Sequence, residues 1–452
     1  MTAAHDIDML HGGLWKKILI YALPLALTGI LQQLFNAADV AVVGRFTGKE
    51  AMAAVGANSP IVSLLVNFFI GISLGANVVI AHAIGRRDHR EAVRTAHTSV
   101  IFAVLAGAAV LVVGELFVTP VLRWTGVPAS VMADAAVYLR LYLVGMPVIL
   151  LYNFEAAIFR SQGDAQTPLV ALALSGVLNV VLNLIFVAGL GRGVSGVAVA
   201  TVIANAVASI FLTMRLNRAD AGIRLRRSEL HVDRISLKKM LHIGVPSGLQ
   251  DAMFCIANII IQSAINSLGP TIMASASAAF SVEIAAYYML NAFNQACTTF
   301  TSQNYGAKLP ERCRRTFWLC LAEGYLFSGT LAILILIGLR PILGLFSSNP
   351  AVIRYGVVLT DYVYVSYLYT AWLEVGSGYL RGFGLSLMPA LVSIVGICVF
   401  RMFWIAEIFR RSPTFRTIML IYPVSLGVTS LAIAVIVFIL RPSRKIITES
   451  AE

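Results

Sequence analysis

The chain has 452 residues, of which 58% are hydrophobic and only 12% charged, with a formal net charge of +12. Ordinary globular chains carry about 25% charged residues, so this composition excludes a soluble domain. The basic balance does not point to nucleic acid, because most Lys and Arg gather in short polar loops between long apolar runs.

Twelve apolar segments follow one another, near 14–43, 54–81, 97–119, 132–159, 166–188, 194–215, 240–267, 276–303, 317–340, 352–380, 387–408 and 417–440. Each has the ~17–25 residues a helix needs to cross the hydrocarbon layer. The first dozen residues are polar and the run after them is long enough to span, unlike a cleavable signal. The expectation is an all-α membrane protein of twelve transmembrane helices in two pseudo-symmetric six-helix bundles. Residues 1–216 would form the N-terminal lobe, 217–236 a cytoplasmic linker, and 237–452 the C-terminal lobe with a short cytoplasmic tail.

The second half repeats the punctuation of the first. Lys16-Lys17 and Pro24 return as Lys238-Lys239 and Pro246. Gly85, Arg87 and Arg94 return as Gly306, Lys308 and Arg315, and Arg160, Gly163 and Pro168 return as Arg381, Gly384 and Pro389. Internal repeats of this kind mark secondary transporters, in which one repeat rocks against the other around a central site. With both termini cytoplasmic, Arg86 to Arg94, Arg215 to Lys239, Lys308 to Arg315 and Arg441 to Lys445 all fall on the inner face, as the positive-inside rule requires. Anionic lipid is the partner that such a face implies. Arg410, Arg411 and Arg416 fall on the outer side and break the pattern. Pro24 and Pro246 each delete a helical hydrogen bond near the start of a bundle, giving a hinge or a static bend.

Two familiar patterns mislead. Gly191-x-Gly193-x-x-Gly196 lacks the strand that a dinucleotide site needs and reads as a turn between helices. Gly71-x-Ser73-x-Gly75 lies within an apolar helix, where small residues let neighbours pack closely, and has no nucleophile-elbow context. The histidines fall in loops or near helix ends, so no enzyme is expected. The five cysteines have no C-x-x-C spacing and read as packing residues.

Carboxylates within membrane segments cost about 2.5–3.5 kcal/mol at the bilayer centre even on insertion scales, so each one asks for a reason. Asp39 follows Gln32 and Asn36 on one face of the first segment. Asn179 and Asn183, one helical turn apart, and Thr201 offer hard oxygen atoms to the same group. A small cation and a proton would compete for that carboxylate, which is a physical basis for antiport. In the second half, Asp251 beside Gln250, Glu283, Asp361 and Glu374 lie within segments. Tyr362, Tyr364, Tyr367, Tyr369 and Trp372 crowd the helix of Glu374. Aromatic rings beside a carboxylate suit a flat organic cation, though they also serve as ordinary packing. Glu155 and Glu323 read as interhelical hydrogen-bonding groups, and Arg401 as the partner of one of the acids.

Taken in order, several short stretches resemble the multidrug and toxic compound extrusion (MATE) family, in particular its DNA-damage-inducible and small multidrug-pump branch. They are Pro24, Phe35-Asn36-Ala37-Ala38-Asp39 with Val43-Gly44-Arg45, Phe159 to Asp164 with Pro168, Gly193-Val194-Ser195-Gly196 with Ala200-Thr201, Gly244-Val245-Pro246, and Ser302 to Ala307. The resemblance implies two six-helix lobes, a cavity open alternately to each side, and export driven by Na⁺ or H⁺. It also implies a first-lobe cation site at Asp39, Asn179, Asn183 and Thr201, with Asn36 alongside. Asn183 departs from the family pattern, in which many members carry Asp. A Na⁺ ion held there would meet one protein charge instead of two, so H⁺ is favoured. The family's second-lobe acid aligns near Phe254, out of register with Asp251.

The sequence therefore reads as an H⁺- or Na⁺-coupled antiporter of the bacterial cytoplasmic membrane. It would export amphipathic, cationic organic compounds as a monomer, with no cofactor. Gln32, Gln250, Asp251, Glu283, Tyr367 and Glu374 would line the substrate cavity. The alternatives are a flippase for lipid-linked saccharides, which would need a basic cavity, and a non-transporting membrane protein.

Overall fold

The computed structural model describes residues 6–219, 222–225 and 230–444. Parts of the expected linker (220, 221 and 226–229), His5 and the tail from Lys445 lie outside the described residues. Among the described residues the chain is helical throughout, with no strand. The long helices are α1 (Leu14–Phe46), α2 (Lys49–Gly85), α3 (His89–Trp124), α4 (Met132–Val144 and Met146–Gln162), α5 (Gln166–Gly189) and α6 (Gly193–Asn217). The second set is α7 (Arg234–Asn266), α8 (Pro270–Gly306), α9 (Pro310–Ile337), α10 (Pro350–Gly382), α11 (Leu387–Phe409) and α12 (Phe415–Arg444).

Ten of these, and the two pieces of α4 taken as one span, are long and apolar enough to cross a membrane. Helix α10 is as long but carries Arg354, Asp361, Glu374 and Arg381. The chain is thus a multi-pass, twelve-helix membrane protein. Large apolar side chains such as Leu116, Ile337 and Ile439 are exposed on its surface, as lipid-facing residues are. Helix α4, expected as one span, bends by 50° between its two pieces. Gly145 and Pro147 sit at the break, where proline supplies no backbone donor.

The chain divides into two compact units, Met1–Ile7 with Leu27–Gly248, and Asp8–Ala26 with Leu249–Glu452. These bounds differ from the expected halves. The chain passes from one unit to the other within α1 and within α7, just beyond Pro24 and Pro246, rather than in the linker. Polar anchors explain the assignment of the two leading half-helices. In the second unit, Met9 is buried and its carbonyl accepts from Asn304 Nδ2 at 3.2 Å and Arg312 Nη2 at 3.0 Å. Tyr21 donates to Thr299 Oγ1 at 3.2 Å. In the first unit, Lys239 pairs with Glu91 at 2.7 Å, and Thr95 donates to Ser236 Oγ at 3.2 Å.

Close packing does the rest. Association in lipid relies on van der Waals contact between small residues. A Cβ added at Gly71 would strike the backbone of Gly248, and one at Gly75 would strike Met240 O and Gly244. The Gly71-x-Ser73-x-Gly75 pattern is therefore the seam between α2 and the first half of α7. Gly191 and Gly193 take φ of +64° and +53° in the turn between α5 and α6, a conformation that glycine adopts without steric cost.

Candidate functional site

In the first unit, α1, α5 and α6 bring four polar side chains into a closed ring. Asp39 is 8% exposed. Its Oδ1 accepts from Asn183 Nδ2 at 2.6 Å, and its Oδ2 accepts from the Thr201 hydroxyl at 3.4 Å. Asn183 Nδ2 also reaches Asn179 Oδ1 at 3.2 Å, and Asn179 Nδ2 donates to Thr201 Oγ1 at 3.3 Å. Helical spacing places Asn179 and Asn183 one above the other. Gly176, one turn earlier, lets the Phe35 ring lie against α5, so that α1 approaches closely enough for Asp39 to reach both. Asn183 begins the transition to a π-helical turn over Leu184–Gly189, a deformation that often marks functional helices.

The ring holds one carboxylate and three neutral groups. Two of its oxygen atoms, Asp39 Oδ1 and Asn179 Oδ1, face the amide N–H of Asn183, while Asn183 Oδ1 is buried with no hydrogen-bond partner among the described residues. The donor set is hard oxygen, which suits Na⁺ in kind. In this arrangement, however, the amide hydrogens lie where a cation would need lone pairs, and Na⁺ would require Asn183 to turn over. A proton on Asp39 requires no such change.

Gln32 and Asn36, expected on the same face, are exposed and outside the ring. Sequence reasoning passed over Tyr138 and Tyr142 on α4. They are buried, stack with centroids 6.1 Å apart, and lie within electrostatic range of Asp39. Their i, i+4 spacing was the available signal. Further along the same unit, Glu155 is fully buried and accepts from Ser209 at 2.9 Å and from Thr213, as an interhelical hydrogen-bonding group should.

The second unit gathers the remaining expected residues into two groups. Glu374 accepts from Asn294 Nδ2 at 2.6 Å, and Arg381 Nη2 donates to Gln250 Oε1 at 2.8 Å. Asp251 lies within electrostatic range of both Arg381 and Glu374. Tyr367 does not accompany Glu374 but donates to Glu283. Trp372 packs in an aromatic cluster with Phe317 and Trp318. Two expectations are corrected. Glu323 is fully buried, yet neither of its oxygens has a hydrogen-bond partner among the described residues. Among the described residues Arg401 pairs with none of the acids: it meets Ser425, Asn258 and the Tyr422 ring. Of the three outer arginines, Arg411 pairs with Glu407 at 2.9 Å. The cysteines are all free, and four of the five are buried.

Twelve helices in two units, with a buried carboxylate ringed by amide and hydroxyl groups inside a membrane segment, define a multi-pass membrane transporter rather than an enzyme. The MatE family profile matches residues 24–185 and 246–405, one match in each half, and the chain belongs to that family. It is 28% identical over 394 residues to the probable multidrug resistance protein YoeA of Bacillus subtilis strain 168, covering 85% of this chain and 84% of that one. It is 24% identical over 357 residues to a FAD transporter of Shewanella oneidensis, covering 77% of each. A crystal structure of MATE in the bent conformation shares the fold at a TM-score of 0.90, with 23% identity and 100% coverage of both chains.

Proposed function

We propose that this transporter is a proton-coupled antiporter that exports amphipathic organic compounds, chiefly cationic ones, from the bacterial cytoplasm across the inner membrane. It would work as a monomer with both termini cytoplasmic. One observation carries the reading: Asp39 is the sole charged member of its ring. A single carboxylate can carry one proton, and of the three neutral groups around it Asn183 and Thr201 reach it directly. Protonation from the outer side and deprotonation on cargo binding would couple the two fluxes. Relatives named as multidrug resistance proteins support export of small organic compounds, and the carboxylates Glu283, Asp251 and Glu374 support a preference for cations. The unpartnered Asn183 Oδ1 favours a second reading, in which Asn183 turns over and Na⁺ takes the place of the proton.

The test is export of a fluorescent organic cation from proteoliposomes under an imposed pH gradient or an imposed Na⁺ gradient. Export under the pH gradient alone supports the proposal. Export under Na⁺ alone moves the assignment to the second reading. No export under either gradient removes it.

A further inference from the structure

Glu155 is fully buried in the second piece of α4, and the proton cycle of Asp39 makes no use of it. Both of its carboxylate oxygens face α6. Oε2 accepts from the Ser209 hydroxyl at 2.9 Å, and Oε1 accepts from the Thr213 hydroxyl. No Lys or Arg pairs with it among the described residues. A carboxylate inside a membrane segment is costly, and such residues mark ion paths and proton relays. Where this unit needs only a link between helices, it uses a neutral amide. Asn58 Nδ2 donates to Ala135 O at 3.0 Å, and Asn77 Nδ2 donates to Ala157 O at 3.2 Å, close beside Glu155. The hydroxyl cradle of Glu155 suits a group that changes its protonation state. Ser and Thr hydroxyls donate to a carboxylate and, by rotating, accept from a carboxylic acid. An Arg or Lys in their place would hold only the anion.

A path leads to this cradle from the first ring. Thr201, Asn205, Ser209 and Thr213 recur every four residues and form one ridge of α6. At one end Thr201 donates to Asp39 Oδ2 at 3.4 Å. Asn205, half-buried, folds back one turn and donates to the Thr201 carbonyl at 2.8 Å. Ser209 and Thr213 end the row on Glu155. The helix between Thr201 and Ser209 is about 12 Å long, with Asn205 midway. Since α6 runs from Gly193 to Asn217, Glu155 lies nearer the expected cytoplasmic linker than Asp39 does.

We propose that Glu155 is the inner proton station of this exporter. The proton leaves the Asp39 carboxyl, passes along the α6 ridge through hydroxyls and intervening water, and bonds to Glu155 Oε2. Glu155 then yields it to water beyond Thr213, which is half-buried, on the linker side. Asp39 is left ionised for the next cycle, and its closed ring releases the proton inward without opening. This inference rests on the proton-coupled reading and adds the inward path that the reading lacks.

The test uses the full-length protein in proteoliposomes, with ethidium as the probe. Glu155→Gln keeps the shape of the side chain and removes the group that takes the proton. Transport driven by a pH gradient should fall at least about tenfold, as loss of a proton-transfer group does. Exchange of labelled for unlabelled ethidium without a gradient should continue at the wild-type rate. The exchange separates a relay from a structural prop, whose loss would slow both. Ser209→Ala cuts the same path with little change of volume and should slow gradient-driven transport severalfold while sparing exchange. It decides the matter if the glutamine variant does not fold. Gradient-driven transport at the wild-type rate in the variant, or an equal loss of transport and exchange, overturns the proposal. Wild type that does not respond to the pH gradient removes the proton-coupled reading itself, and the inner station with it.

Discussion

Each unit buries a charged side chain among polar neighbours, a carboxylate at Asp39 in the first and a guanidinium at Arg401 in the second. In the first, a carboxylate is ringed by two amides and a hydroxyl, and every member of the ring touches another member. In the second, a guanidinium touches a hydroxyl, an amide and an aromatic ring, and keeps donors in reserve. The closed ring is made of small groups that satisfy one another except at Asn183 Oδ1, which has no partner among the described residues. Arg401 carries more N–H groups than its two hydrogen bonds use, and its neighbour Asn258 is exposed.

Changes in the first unit sharpen this comparison to different degrees. The largest effect belongs to Asp39→Asn, which removes the only charge in the first ring while keeping its size. Export driven by a pH gradient should fall to the leak rate in proteoliposomes, whereas exchange of labelled for unlabelled dye without a gradient should continue. Asn183→Asp would place a second carboxylate in the ring, and like charges so close favour a bound cation or a shared proton. Export by that variant should become stimulated by Na⁺, which a Na⁺ titration at fixed pH would detect. Indifference to Na⁺ would show that the ring lacks the geometry for a metal.

The smallest concerns stability alone. Asp233 accepts from Ser236 N at 2.8 Å at the start of α7, and the Ser236 hydroxyl and backbone N–H hold its carboxyl below the ordinary aspartate range. Its folded-state pKa is depressed, so its contribution is present above the unfolded pKa and is lost as pH falls through the folded value. Asp233→Ala should lower stability by about 1 kcal/mol at neutral pH, and less in acid, as read from thermal melting in detergent.

Much of the first site was legible in the sequence because it obeys local rules. A carboxylate in an apolar segment stands out by its cost, and Asn179 and Asn183 announce a shared helix face by their spacing. Gln32 and Asn36 share a helix face with Asp39 by spacing yet stay exposed and outside the ring. Shared periodicity puts residues on one side of a helix, but only the level where Phe35 meets Gly176 comes close enough to α5 for contact. The second site was illegible for the opposite reason. Arg401 looked like half of an ion pair, and its partners Ser425, Asn258 and Tyr422 carry no charge to suggest them. The passage of the chain between units inside α1 and α7 was also hidden. It depends on tertiary anchors such as Arg312 to Met9, whereas the polar linker advertises itself by composition alone.

The central claim is that cargo binding and the protonation of Asp39 are linked. The most direct measurement is proton release when a cationic dye is added to purified protein in weakly buffered detergent solution, for wild type and Asp39→Asn. Wild type should release protons on binding, and the variant none even where it still binds dye. Equal release by both proteins, or dye binding by wild type with no proton released, would contradict it.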